Sequence, residues 1–346
     1  MQEKIEHLLR AGFELKASDI HLTVGVPPIM RINGDLKRYG KDALKLEETE
    51  QMAKAIVPPY QWENFREKGE LDFSYGIPGL SRYRINTYFQ RGCVALAIRI
   101  VPTKIPTIED MQLPNVLKEI AERHQGLVLV TGPTGSGKST TLAAMIQYMN
   151  QNLRKHIITL EDPIEYLHKH GTSIIDQREV GADTNNFSNG LRAALRQDPD
   201  VILVGEMRDL ETIHTAITAA ETGHLVLGTL HTSSAPSTIN RIIDVFPSSQ
   251  QPQIRIQLAS VLVSIISQRL FPTVDKKGRR AATEILINNP AVGNLIRNEK
   301  IHQIVSVMQT SRAQGMHTFE TSIKELLENG AIDKETAIPY LQELEG

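Results

Sequence analysis

The sequence predicts an α/β protein in two parts: a small α+β domain, then a parallel sheet wrapped by helices. Short apolar runs without alternation, Leu127–Val130, Ile157–Leu160, Val201–Val204 and Leu225–Leu230, suit strands buried on both faces. The stretches between several of them have helical periodicity, as crossover connections require. The N-terminal region shows neither feature and reads instead as strands separated by turn signals. A length of 346 residues agrees with two domains.

In the N-terminal part, Ile5, Leu8 and Leu9 predict a short helix and Asp19–Val24 a strand. Ile29–Ile32 and Leu36–Tyr39 flank Asn33-Gly34, a hairpin signal. Glu47–Val57 reads as a helix stopped by Pro58-Pro59. Leu71–Ile77, Arg82–Gln90 and Cys93–Val101 follow as a meander, broken at Pro78-Gly79 and Arg91-Gly92. The expected organisation is a first domain over 1–100, a linker over 101–111 punctuated by Pro102 and Pro106, and a second domain over 112–346. Within the second, Lys138–Met149, Ser188–Arg196 and Leu210–Glu221 are predicted helices and Ser173–Ile175 a further strand. Gln250–Gln268 reads as one long amphipathic helix, followed by an edge strand over Ala281–Ile287 and short C-terminal helices.

Composition narrows the function classes. Lys plus Arg number 38 against 40 Asp plus Glu, so nothing drives the whole chain toward nucleic acid or anionic lipid. The single cysteine, Cys93, excludes an internal disulfide and a multi-cysteine zinc site, and fits a reducing compartment. No segment approaches the roughly 18 apolar residues of a membrane span. The start, Met1–His7, reads as an amphipathic helix rather than a signal peptide. A cytoplasmic chain without direct membrane insertion is expected.

Gly132-Pro133-Thr134-Gly135-Ser136-Gly137-Lys138-Ser139 matches G-x-x-x-x-G-K-[ST] and stands between a predicted strand and a predicted helix, the context that gives the motif meaning. Glycines let backbone N–H groups converge on phosphate oxygens, and the helix start adds partial positive charge. Lys138 is expected to reach the outer phosphates, Ser139 to hold Mg²⁺, and Thr140 to extend the cradle.

Hydrolysis also needs a group that orients water. Ligands of open α/β sheets sit beyond the carboxyl ends of strands. Val201–Val204 leads through Gly205 to Glu206, the first choice for activating water. Ile157–Leu160 leads to Glu161 and Asp162, with Glu165 nearby; Glu161 and Asp162 are suited to Mg²⁺-bound water or a share of the base role. Leu225–Leu230 delivers His231, a candidate donor to the terminal phosphate, while His224 at the other end suits a subunit or domain contact. On the alternating strand after Ser81, Arg82, Arg84 and Asn86 share one face. The arginines of this face, Arg82 and Arg84, and Arg99 at the end of the next strand, with Arg208 and Arg196, are candidates for stabilising phosphate charge from a neighbouring subunit.

Gly132–Ser139, Glu161-Asp162-Pro163-Ile164-Glu165, Val204-Gly205-Glu206-Met207-Arg208-Asp209 and the stretch from Thr222-Gly223-His224 to Thr229-Leu230-His231-Thr232 together resemble the secretion ATPases of the type II and type IV pilus superfamily. They stand in the order of its Walker A, Asp box, Walker B and His box, and Ala17-Ser18-Asp19-Ile20-His21 is also typical of it. Within the superfamily the chain is most similar to the retraction ATPases of type IV pili. It begins almost directly with the small domain and lacks the four-cysteine motif of many assembly ATPases. Ala291–Asn298 resembles the signature Ala-Ile-Arg-Asn-Leu-Ile-Arg-Glu, with departures at Val292, Gly293 and Asn298. Gly315-Met316-His317-Thr318-Phe319-Glu320 matches the C-terminal region.

The resemblance implies a PAS-like N-terminal domain, a RecA-like P-loop NTPase core and a homo-hexameric ring. It implies Mg²⁺-dependent ATP hydrolysis driving pilus retraction and twitching motility. By the same likeness Lys138, Ser139, Glu206, Glu161 and His231 carry the roles above, and Arg84 and Arg99 approach nucleotide from the N-terminal domain. The implied partners are an inner-membrane platform protein and, on the same platform, an assembly ATPase; the implied location is cytoplasmic, peripheral at the inner face of the membrane. Three alternatives remain open at this point: a pilus-assembly or type II secretion ATPase, a non-catalytic nucleotide switch, and a RecA-like nucleic-acid translocase. The near-neutral charge and the lack of a basic, aromatic-interleaved patch oppose the last, so no nucleic-acid partner is expected.

Overall fold

The computed structural model describes residues 1–345. The chain divides into a small unit, Met1–Lys104 with Glu165–Leu167, and a large unit, Ile105–Ile164 with His168 onward. No helix among the described residues is long and apolar enough to cross a membrane.

In the small unit, strands β1 (Asp19–Leu22), β2 (Ile29–Ile32), β3 (Asp35–Arg38), β4 (Glu70–Ile77), β5 (Ser81–Gln90) and β6 (Cys93–Ile100) form an antiparallel sheet in the order β3-β2-β1-β6-β5-β4. Ile32 pairs with Asp35, so Asn33-Gly34 make a two-residue turn, both with positive φ (54° and 89°), the geometry that favours these residues. Along β5, Ser81, Tyr83, Ile85 and Thr87 are buried while Arg84 is exposed and Arg82 and Asn86 are half-buried. Apolar residues of this face join Ile5, Leu8 and Leu9 from the helix Gln2–Glu14 and Met52, Ala53 and Ile56 from the helix Leu46–Ile56 in one core. Tyr83 donates its hydroxyl to the Leu9 carbonyl at 3.0 Å, and burial pushes its phenol up to about 12.

The large unit is built on β7 (Gly126–Thr131), β8 (His156–Glu161), β9 (Ile174–Glu179), β10 (Val201–Val204), β11 (Leu225–Leu230), β12 (Leu262–Pro272) and β13 (Arg279–Ile287), ordered β13-β12-β7-β11-β10-β8-β9. Only β13 runs antiparallel to its neighbour, at an edge. The unbroken apolar runs have a direct cause. Leu127 and Leu129 pack into one core with Ile213, Ile217, Ile239 and Leu258, while Val128 and Val130 pack on the other side with Leu142, Met145, Ile146 and Met149. Each β7 side chain thus meets a helix layer whichever way it points.

The predicted helix Gln250–Gln268 is corrected. The helix spans Gln251–Val261, and the chain then becomes β12. No turn residue marks the change, so helical periodicity reads straight through it. Two physical effects end the helix. The β-branched run Val261, Val263, Ile265 and Ile266 suits a strand, and pairing with β7 on one side and β13 on the other occupies its backbone groups. The Asn288 side chain donates to the carbonyls of Ala259 and Leu262, both at 2.9 Å, satisfying acceptors at the helix end. β9 also runs further than predicted, through the polar residues Asp176–Glu179.

Candidate functional site

The phosphate loop joins β7 to the helix Lys138–Asn152. Gly132, Gly135 and Gly137 take φ of 144°, 79° and 89°. A Cβ on Gly132 would lie 2.4 Å from the Gln268 carbonyl oxygen and 2.6 Å from Ser136 Oγ, so only glycine fits there. Lys138 is only 9% exposed, and its ammonium donates to the carbonyls of Gly132 (2.8 Å) and Pro133 (3.0 Å). Ser136 Oγ is buried in the same loop without a hydrogen-bond partner. A concave loop with a buried ammonium, a waiting hydroxyl and a helix N-terminus is chemically fitted to a nucleotide's phosphates. Ser139 and Thr140 stand half-buried in the first helical turn.

β12 holds the cradle in shape. Thr131 donates to Ser267 Oγ (2.8 Å), Gln268 Nε2 to the Ser136 carbonyl (2.7 Å), and Thr141 to Gln268 Oε1 (2.9 Å). Sequence reasoning put Gln268 at a helix end and missed this role; the β-branched run before it was the available signal. Gln268→Leu leaves the Ser136 carbonyl and the Thr141 hydroxyl buried and unpaired, at about 1–3 kcal/mol each. Lower Tm and a higher KM for ATP are expected together, measured by thermal unfolding and steady-state phosphate release.

The parallel registers bring the predicted acid and histidine positions to one end of the sheet. Thr131 pairs with Leu230, Val204 with Gly228, and Val204 with Leu160. Gly132, His231, Glu206 and Glu161 therefore emerge from four adjacent strands. Glu206 Oε1 lies 2.7 Å from His231 Nε2 and also accepts from Arg208 Nε. The backbone beneath is pinned: Gly205 N donates to the Leu160 carbonyl (2.7 Å) and Thr229 donates to the Gly205 carbonyl (2.5 Å). A Cβ on Gly205 would lie 2.9 Å from that Leu160 oxygen, so this approach requires glycine. Arg208, a candidate for reaching a neighbour, contacts Glu206 of its own chain.

Glu161 Oε1 accepts from the Thr159 hydroxyl (2.6 Å) and from Gln177 Nε2 (3.1 Å). Asp162 is exposed beside it. Among the described residues no group of three or more His, Cys, Asp or Glu is arranged to hold a metal ion. Mg²⁺ needs no such cage, because it keeps waters and phosphate oxygens and takes only one or two protein ligands. Ser139 with Glu161 or Asp162 fits that donor set. His224 sits at the far end of β11, with Nδ1 3.0 Å from the Ala219 carbonyl, closing the helix Leu210–Glu221.

In the small unit, register places Arg31, Asp19, Arg99 and Arg84 side by side across β2, β1, β6 and β5. Arg99 Nε donates to Asp19 Oδ1 at 3.1 Å, and Arg84 is exposed. One carboxylate among three guanidinium groups leaves the row electropositive.

His168 lies close to the Glu161 network. Burial pushes its imidazole down from 6.5 to about 4, so the folded chain excludes a proton that the unfolded chain binds. Stability from this group is present above about pH 6.5 and is lost as pH falls toward about 4. His168→Gln is expected to flatten the acid limb of a Tm–pH profile.

The family described as type II/IV secretion system protein matches residues 82–339. A type IV pilus retraction ATPase, PilT, of Pseudomonas aeruginosa is 46% identical over 333 residues, covering 96% of this chain and 96% of its own. A twitching motility protein of Neisseria gonorrhoeae is 46% identical, covering 93% of this chain and 88% of its own. A crystal structure of the pilus retraction motor PilT with bound ADP superposes with a TM-score of 0.88 at 49% identity, covering 96% of this chain and 95% of that one. The chain belongs to the type II/IV secretion system protein family and, within it, to the PilT-like ATPases.

Proposed function

We propose that this chain is a motor ATPase that powers retraction of a type IV pilus, working as a homo-hexamer at the cytoplasmic face of the inner membrane. The carrying observation is Glu206, held at a strand end against His231, whose own strand β11 lies between β10 and the strand β7 that leads into the phosphate loop. A carboxylate so placed accepts a proton from water aimed at a terminal phosphate. His231 shares the same Glu206 oxygen, so any change in its own partner is felt at that carboxylate. The loop 132–138 and Thr140 bind the phosphates through backbone N–H groups and Lys138. Mg²⁺, when bound, neutralises phosphate charge; Ser139 would hold it, with Glu161 and Asp162 through water.

Arg84 and Arg99, on the electropositive row of the N-terminal domain, supply guanidinium groups to the nucleotide of a neighbouring subunit. The names of the relatives support the retraction role, and the partner is then an inner-membrane platform protein shared with an assembly ATPase.

Two measurements test this. Purified, oligomerised protein with ATP and Mg²⁺ should release phosphate; failure to do so overturns the motor reading. Deletion should leave pili present and abolish twitching. Absence of pili points to an assembly motor instead, and stimulation of turnover by DNA or RNA to a translocase.

A further inference from the structure

We infer that Gln177 is a positioning residue for hydrolysis: its amide orients the Glu161 carboxylate and ties it to the backbone at His168. The inference rests on the proposed role of Glu161.

In the parallel register of β8 and β9, Thr159 pairs with Gln177 and Glu161 with Glu179. Side chains two residues apart share a sheet face, so these four residues stand together at the ligand end of the two strands. Gln177 uses both ends of one rigid, planar amide. Its Nε2 donates to Glu161 Oε1 at 3.1 Å, and its Oε1 accepts from His168 N at 2.8 Å. Thr159 donates to the same Glu161 oxygen at 2.6 Å. Donation from Thr159 and Gln177 to one oxygen restricts the carboxylate's rotamer.

The far side of the connection is anchored from the same strand. Glu179, only 5% exposed, accepts from Ile164 N at 3.0 Å. Ile164 is the last residue of the large unit before Glu165–Leu167, which belong to the small unit, and His168 is the first residue after them. The chain's departure from the large unit and its return are therefore both held by β9 side chains. The return, through Gln177, is hydrogen-bonded to Glu161. The Gln177 amide therefore joins the backbone just after residues 165–167 to the Glu161 carboxylate.

The experiment is a double-mutant cycle on the intact, oligomerised protein, reading kcat for phosphate release, nucleotide affinity and Tm for Gln177→Leu, Glu161→Gln and the pair. Gln177→Leu is expected to lower kcat about tenfold with nucleotide affinity nearly unchanged, the size seen when a group supporting a ligand is removed. In the Glu161→Gln background the same change is expected to lower kcat by less than about twofold, because coupled residues are not additive. Gln177→Glu keeps an acceptor for His168 N but removes the donor to Glu161, so it should be as slow as Gln177→Leu. Multiplicative losses, or rescue by Gln177→Glu, would show a merely structural role and overturn the inference. A slow Glu161→Gln beside a fully active Gln177→Leu also overturns it alone. Glu161→Gln turning over at the normal rate overturns the role of Glu161 and this inference with it. If Gln177→Leu lowers Tm steeply, Gln177→Glu carries the comparison.

Discussion

Glu206→Gln should slow ATP turnover by about 10²–10⁴-fold while leaving nucleotide affinity close to normal, the scale of a lost general base. The substitution is nearly isosteric, and the backbone that places it is fixed by other groups: Gly205 N on the Leu160 carbonyl and Thr229 on the Gly205 carbonyl. The amide keeps an oxygen that can accept from His231 or Arg208, so the local hydrogen bonds are only partly disturbed. It loses the ability to take a proton. Phosphate release and equilibrium nucleotide binding, measured on the same preparation, separate the two effects. Turnover at the normal rate would remove Glu206 from the base role and leave Glu161 as the strand-end carboxylate to test next.

Lys138→Ala should fail earlier, at binding. The ammonium is buried and donates to the carbonyls of Gly132 and Pro133 in the loop itself. A charged hydrogen bond contributes about 1.5–3 kcal/mol, so losing it weakens nucleotide binding by about 10- to 150-fold. Turnover should fall with it if, as proposed, the same charge stabilises the outer phosphates as they separate. Normal affinity in Lys138→Ala would mean that backbone N–H groups alone carry binding. The contrast between the variants is the sharper test: one binds normally and turns over slowly, the other binds weakly.

Much of this site is legible in the sequence because its residues follow strands buried on both faces. Leu127–Val130, Val201–Val204 and Leu225–Leu230 announce themselves as apolar runs, and the chemistry begins where each run stops. Asn33-Gly34 likewise declares its turn, since few other pairs accept two positive φ values. What stays hidden is whatever depends on a distant partner. β12 carries a run that satisfies helical spacing, and only the open side of β7 makes it a strand. Gln268 is then invisible as a support for the phosphate loop, because its partners, Ser136 and Thr141, are 132 and 127 residues away. β9 is hidden for a different reason. An edge strand has one neighbour, so Asp176–Glu179 can be polar throughout, and no apolar alternation marks the very residues that reach Glu161 and Ile164.

The place of β12 beside β7 has a consequence for how the chain comes of age. While a ribosome has made only the first half of the large unit, the Walker A glycines are present but the glutamine that braces them is not yet synthesised. The brace on the phosphate loop therefore forms only once β12 has been synthesised and docked beside β7, a contact between segments more than a hundred residues apart, and loop closure of that length makes it one of the slower contacts of folding.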